Sequence, residues 1–140
     1  MKGFTHEARQ RGGWTRARQH AAARRENPTR AESEVRDFLA GLGARCEFEY
    51  EIIHPDGQPQ FIDILIKYPV VAAVEIDGSY SWHGWNGTGI NQSGKMVDYD
   101  RKKSEYLQAR GIPLVFVNPA RGNWQALLTR VCNNEVRIKK

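Results

Sequence analysis

The sequence predicts a mixed α/β domain, an α+β arrangement built on a mixed sheet. Two short apolar runs rich in β-branched residues lie side by side at 61–67 and 70–76, which is typical of buried strands. Segments with apolar residues at helical spacing stand before and after these runs. From residue 29 onward the predicted order is helix, three strands, helix, strand, helix.

The positive charge of the chain is concentrated at its start. The 140 residues carry a formal charge of +5, but residues 1–30 hold eight Lys or Arg against two Glu, which leaves the remainder near −1. We expect a basic N-terminal arm over 1–28, helical or disordered, and one globular domain over 29–140. Such an arm favours a polyanionic partner, most often nucleic acid; the alternative is a solvated leader.

Membrane and secreted classes are not favoured by the sequence. No apolar run approaches the roughly 20 residues of a membrane span, and no signal peptide is recognisable. Cys46 and Cys132 are far apart in sequence and lack metal-ligand spacing, so they are interpreted as reduced thiols of a cytoplasmic protein. The oligomeric state cannot be deduced from the sequence.

Two helices are predicted before the first strand. Gly12-Gly13 is expected to split the arm, leaving a basic helix over 15–25 that Asn27-Pro28 ends. Thr29 and Glu32 then have the spacing of a capping box, and the helix that they begin is expected to end at Gly43.

The remaining elements follow from alternation and from turn residues. Residues 46–52 alternate polar and apolar as in a half-buried strand, and a turn over 54–57 leads into the strand at 61–67. A long glycine-rich loop is expected over 84–97. A helix over 99–110, a short strand over 114–117 and a last helix over 124–131 complete the domain.

Acidic residues interrupt the two apolar runs. Asp63 lies within the first run, and Glu75 and Asp77 lie at the end of the second. Burying an unpaired carboxylate costs on the order of several kcal/mol or forces a large pKa shift, so a compensating partner is expected. A divalent cation is the most common partner of this kind.

Whether these acids lie close together depends on the connection between the two predicted strands. Asp63 is expected to share a face with Leu65, and Glu75 with Ala73 and Asp77. Asp63 faces Glu75 if Lys67 pairs with Val71, which requires a three-residue connection or a bulge. A two-residue turn would place the acids on opposite faces.

A series of motifs extends from the second strand toward the C-terminus: Glu75-Ile76-Asp77-Gly78, then His83, then Tyr99-Asp100 followed by Leu107 and Gly111. Together these motifs resemble the Vsr-like branch of the PD-(D/E)XK nuclease superfamily. That branch includes the very-short-patch-repair endonucleases and homing endonucleases with an E-D-x-H-D pattern. The resemblance covers about residues 29–118. It implies a restriction-endonuclease-like core. Such a core, together with the small size and the basic arm, suggests by analogy a phage or mobile-element setting inside a bacterial host cell.

The resemblance also implies roles for individual residues. Asp63 would be the central metal-binding aspartate at a strand bend, and Glu75 and Asp77 would flank it. The implied catalytic set is Asp63, Asp77, His83, Asp100 and Glu32, with His83 as general base. The tryptophans Trp82 and Trp85 would contact or wedge into DNA. Apart from the resemblance, the positive charge of the arm and of the loop predicts DNA contacts for Lys95, Arg9, Arg11, Arg16, Arg18, Arg24 and Arg25. The ligands of a structural zinc ion are not evident, so none is expected.

Each of these residues also has an alternative without catalytic function. Glu32 is already explained by the capping box, and Asp63 could be a satisfied polar residue on an exposed strand face. Asp77 could belong to a turn with Gly78, and His83 to a loop without a role. The tryptophans could pack in a lid. Asp98 competes with Asp100, although helix capping accounts for Asp98.

Together these residues predict a metal-dependent DNA endonuclease. Carboxylates holding Mg²⁺, or Mn²⁺ in its place, stabilise the charge on a pentavalent phosphate, and a histidine titrating near neutral pH can deprotonate the attacking water. One alternative is a nuclease fold that binds DNA without cutting it. Another is a structural or assembly protein that uses the arm for packaging.

Overall fold

The computed structural model describes residues 6–76, 89–91, 101–120 and 122–136. Four helices and five strands lie in this part of the chain, and the predicted mixed α/β class is confirmed. Their bounds are α1 His6–Glu26, α2 Arg30–Gly41, β1 Arg45–Ile53, β2 Pro59–Tyr68, β3 Ala72–Ile76, β4 Gly89–Asn91, α3 Arg101–Ala109, β5 Leu114–Val117 and α4 Trp124–Cys132.

The described strands form one mixed sheet in the order β1-β2-β3-β5-β4. β2 is antiparallel to both β1 and β3, whereas β5 runs parallel to both β3 and β4. A parallel pair needs a crossover, and α3 lies in the segment between β3 and β5. The sheet therefore combines an antiparallel half with a parallel half, joined at β3.

Apolar side chains cover both faces of this sheet. On the first face, Ile64, Ile66 and Val74 pack with residues of α2 and α4 such as Leu39 and Leu128. On the second face the buried cluster consists of Ile52, Ile62, Leu65, Ala73, Leu114 and Phe116 with Leu107 of α3. We call these the α2 face and the α3 face. Burial on both faces explains why β3 has no exposed position.

The first helix differs from the sequence prediction. α1 is continuous from His6 to Glu26, so Gly12-Gly13 does not split it. Each glycine disfavours a helix by about 1 kcal/mol but leaves helical backbone angles accessible, and the flanking Ala, Arg and Gln are good helix formers. The predicted break at Asn27-Pro28 is confirmed.

α1 packs on the antiparallel half of the sheet. Ala21 is only 3% exposed, and the Arg18 guanidinium pairs with Glu51 of β1. The Trp14 ring lies against Gly57 in the β1–β2 turn, where φ is +86° and an added Cβ would approach the ring to 3.4 Å. Over residues 14–26 the basic segment is thus attached to the globular body.

Other element boundaries follow local chemistry. The capping box of α2 is confirmed, because the Thr29 hydroxyl accepts from the Glu32 backbone N–H while the Glu32 carboxylate accepts from the Thr29 N–H. The prediction of an irregular loop over 84–97 is wrong at 89–91, where β4 pairs with β5. The remaining positions of that loop lie outside the described residues. No helix in the described part of the chain is long and apolar enough to cross a membrane.

Candidate functional site

The register between β2 and β3 aligns two of the predicted metal ligands. Ile64 pairs with Val74, Leu65 with Ala73 and Ile66 with Ala72. The paired residues end there, and extending the same register by one position brings Asp63 opposite Glu75. This is the register of the three-residue connection, and the two-residue alternative is excluded.

In both β1 and β2, the alternation of side chains between the two faces of the sheet is interrupted near Asp63. We call this interruption the phase change. Ile62 belongs to the α3 face and Ile64 to the α2 face, although strict alternation would give both the same face. The same change occurs in β1, where Phe48 packs on the α2 face and Tyr50 on the α3 face. Glu49, between them and opposite Asp63 in the ladder, has a left-handed backbone with φ +48°.

This phase change corrects one prediction. Asp63 does not share a face with Leu65, because the break in alternation directs its side chain to the α2 face. There its Oδ2 accepts a hydrogen bond of 2.8 Å from the Ile76 backbone N–H at the end of β3. The Asp63 carboxylate therefore lies at the end of the parallel half of the sheet.

Asp63 and Glu32 line the same cavity. It has a volume of about 320 Å³ and is open to solvent. Its described lining comes from α1, α2, β2, β3 and the segment after β5, and consists of Arg24, Thr29, Ala31, Glu32, Asp63, Ile76, Asn118 and Pro119. Two acids that are distant in sequence thus face one open space.

The two carboxylate oxygens of Glu32 have different surroundings. Oε1 accepts from the Thr29 hydroxyl at 2.9 Å and lies 3.4 Å from the Arg24 guanidinium. Oε2 accepts no hydrogen bond from any described residue, and the nearest guanidinium nitrogen of Arg36 is 3.8 Å away. Because Glu32 is only 3% exposed, this buried oxygen lacks the partner that such a group normally has.

A third carboxyl group lies next to these two. Glu49 is 7% exposed, lines a smaller adjoining cavity with Arg24 and Phe61, and its Oε1 also has no hydrogen-bond partner among the described residues. Burial first, then the negative charges of Asp63 and Glu32, and last a side-chain hydrogen bond to Glu32 raise the pKa of Glu49 to about 7. Glu49 is not distinguished in the sequence, since it is one of three alternating glutamates in β1.

Glu75 occupies a different environment. Its side chain is 6% exposed, and Oε1 forms an ion pair of 3.2 Å with Nζ of Lys103 in α3. Ala73, two residues earlier, belongs to the α3 face, as alternation predicts. Glu75 thus lies opposite Asp63 in register while its carboxylate is directed toward α3.

Several predicted site residues lie outside the described residues. These are Asp77, Trp82, His83, Trp85, Lys95 and Asp100. Arg9 and Arg11 lie in α1, but only their backbone is described.

The four described arm arginines are not equivalent. Arg16 is exposed, and Arg18 pairs with Glu51. Arg25 donates to the carbonyl oxygens of Phe48 at 3.0 Å and Glu49 at 2.6 Å, and Arg24 faces Glu32. Three of the four arginines therefore form hydrogen bonds or ion pairs with the globular body.

The donor atoms around the cavity suit a hard divalent cation. Carboxylate oxygens are the ligands that Mg²⁺ and Mn²⁺ prefer, and Asp63 and Glu32 both belong to the lining of the cavity. Within the described ranges, no three His, Cys, Asp or Glu side chains converge as a complete metal site. Asp63 and Glu32 would thus contribute only part of a coordination shell.

Comparisons of this chain with protein-family models, with curated proteins and with solved structures gave no match.

Proposed function

We propose that this protein is a metal-dependent endonuclease that hydrolyses phosphodiester bonds in DNA. One observation carries the proposal: Asp63 and Glu32, supplied by β2 and α2, are two acids distant in sequence that line one open cavity. The resemblance of the sequence motifs to Vsr-like nucleases supports the same function and a restriction-endonuclease-like core.

In this proposal the acids bind the ion and the surrounding chain orients them. Asp63 and Glu32 would hold Mg²⁺, and the motif resemblance adds Glu75 and Asp77. The bound ion would supply positive charge to the phosphate and lower the pKa of a water molecule. The Ile76 N–H fixes the Asp63 carboxylate, and the capping box fixes Glu32. His83 is proposed as the base that takes the proton from water.

Plasmid cleavage tests the proposal directly. Several supercoiled plasmids of different sequence would be incubated with wild-type protein in Mg²⁺, in Mn²⁺ and in EDTA, beside Asp63→Asn. Asp56→Asn is a matched control, because Asp56 is an exposed acid in the β1–β2 turn, bonded to Lys102. We expect nicking or linearisation that requires metal, disappears in Asp63→Asn and persists in Asp56→Asn.

Two results would contradict the proposal. Cleavage that survives in Asp63→Asn would mean that Asp63 is not part of the centre. Absence of cleavage, combined with absence of calorimetric Mg²⁺ and Mn²⁺ binding, would reject a catalytic function.

One observation favours a non-catalytic DNA-binding function as the second candidate. The carboxylate of Glu75 forms an ion pair with Lys103, and a metal ion would have to compete with this cation. Such a protein would bind DNA with an affinity that falls steeply with salt but would bind no metal.

A further inference from the structure

α1 places a guanidinium group in the cavity that contains the two acids. Arg24 lines this cavity together with Glu32 and Asp63, and its Nη1 is 3.4 Å from Oε1 of Glu32. Among the described residues that line the cavity, Arg24 is the only cationic one. A polyanion that enters a cavity lined by two acids is repelled unless a positive charge is also present.

The backbone around Arg24 is fixed to the body on two sides. The Arg36 guanidinium of α2 donates to the carbonyl oxygens of Arg25 at 3.0 Å and of Arg24 at 3.3 Å. Arg25 in turn donates to the carbonyl oxygens of Phe48 and Glu49 in β1. Arg24 therefore lies near the end of a helix that is attached to the globular body, and not on a free arm.

Two arginines lie near Glu32, and their exposure separates their roles. The Arg36 side chain is 11% exposed and cannot reach a large ligand, so it serves as a buried counter-ion. The Arg24 side chain is 52% exposed, although it also faces Glu32. A guanidinium has five N–H donors in a planar fork, so Arg24 can contact Glu32 and still offer donors to an incoming phosphate.

We infer that Arg24 is a phosphate-binding residue of the site, contributed by the N-terminal helix, and that it contacts the phosphodiester on which Asp63 and Glu32 act. The inference rests on the proposed function and extends it from the acids to a specific cation. Negative charge increases on the non-bridging oxygens as water attacks. A guanidinium already in position stabilises that charge without further reorganisation.

The test separates binding from the rate of cleavage. Arg24→Met and Arg24→Lys would be compared with wild type and with Arg30→Met, a control that removes a 94% exposed arginine paired with Glu34 outside the cavity. Arg36→Met, which removes the buried arginine near Glu32, is measured in the same way. The first readout is the single-turnover cleavage rate with all DNA bound, in Mg²⁺. The second is DNA affinity in EDTA as a function of salt concentration.

We expect Arg24→Met to cut bound DNA about 100-fold more slowly than wild type, whereas Arg30→Met keeps the wild-type rate. The plot of log affinity against log salt should lose about one unit of slope in Arg24→Met. Arg24→Lys should keep that slope and recover only part of the rate, because lysine keeps the charge without the fork.

Three outcomes decide the inference. A wild-type cleavage rate in Arg24→Met overturns it. An equal loss of cleavage rate in Arg24→Met and Arg36→Met, with an unchanged salt slope, also overturns it. Because Arg36 is buried, that result would mean that the only role of Arg24 is to neutralise Glu32. If the wild-type protein cuts no DNA and binds neither Mg²⁺ nor Mn²⁺, the nuclease proposal fails separately. The salt slope then still decides whether Arg24 contacts a phosphate.

Discussion

Glu49 shows at the scale of one residue how burial of an acid couples stability to pH. Its pKa rises from an ordinary value of 4.5 to about 7 because the carboxyl is buried next to Asp63 and Glu32. Between these two values the unfolded chain has released the proton while the folded chain still holds it. Stability is therefore lost as pH rises through this window and is fully present only below it.

Replacing Glu49 with glutamine removes this penalty while keeping the shape of the side chain. In EDTA, we expect Glu49→Gln to raise the free energy of unfolding by about 1–3 kcal/mol at pH 8 and to change it little at pH 4. Urea denaturation at pH 4, 6 and 8 measures the difference. Glu47→Gln, at an exposed position of the same strand, is the control. An equal effect of Glu49→Gln at all three pH values would contradict the assigned pKa.

The thiol of Cys46 should be poorly reactive. Burial, and secondarily the neighbouring Cys132, raises its pKa to about 11. Since the thiolate is the nucleophile, we expect alkylation of folded Cys46 at pH 8 to be about 100-fold slower than that of an exposed thiol. Mass spectrometry of iodoacetamide-treated Cys132→Ser protein measures this rate, and the same protein in urea provides the reference. Equal rates in both conditions would refute the prediction.

Single-residue environments were the least predictable from sequence. Glu47, Glu49 and Glu51 alternate identically in β1, and nothing in their neighbours marks Glu49 as the one with a left-handed backbone. That conformation is uncommon for a residue other than glycine, and here it depends on tertiary contacts such as the Arg25 hydrogen bonds. Asp63 was identified because an acid in an apolar run is visible in the sequence, but the face to which it points was not.

At the scale of elements, Arg25 attaches α1 to the sheet. Its guanidinium donates to two β1 carbonyl oxygens, and hydrogen bonds from a charged donor contribute about 1.5–3 kcal/mol each. We expect Arg25→Met to release the helix before the body unfolds, so limited proteolysis should cut within residues 14–26 faster than in wild type.

Arg30→Met is the control for this experiment as well. Its exposed ion pair with Glu34 is expected to contribute about 1 kcal/mol or less, so its proteolysis should match wild type. Protection of residues 14–26 in Arg25→Met would show that Ala21, Trp14 and the Arg18–Glu51 pair hold the helix without Arg25.

Elements with local signals were predicted well, and those that depend on pairing were not. The capping box at Thr29 and Glu32 and the turn with Gly57 are encoded within a few residues, and both are present. β4 has three residues, and its assignment depends on pairing with β5, which is far along the chain. The continuity of α1 through two glycines likewise conflicts with local propensity alone.

At the scale of the whole molecule, the site joins parts of the chain that are distant in sequence. β3 connects the antiparallel and parallel halves of the sheet, α2 supplies Glu32, and α1 covers the phase change in β1 and β2. The acids could be recognised one by one in the sequence, but their common cavity depends on these three elements packing together. An ion bound in it would therefore bind the folded state and not the unfolded chain.

Metal binding should accordingly stabilise the fold. A ligand present at about 100 times its Kd adds about 2.7 kcal/mol to the free energy of unfolding. We expect millimolar Mn²⁺ or Mg²⁺ to raise the unfolding temperature of wild-type protein and of Asp56→Asn, measured against EDTA. In Asp63→Asn this increase should disappear, because one ligand is lost from a shell that the described residues only partly supply. If Asp63→Asn kept the full increase, the ion would bind elsewhere on the protein, and the cavity between Asp63 and Glu32 would not be the metal centre.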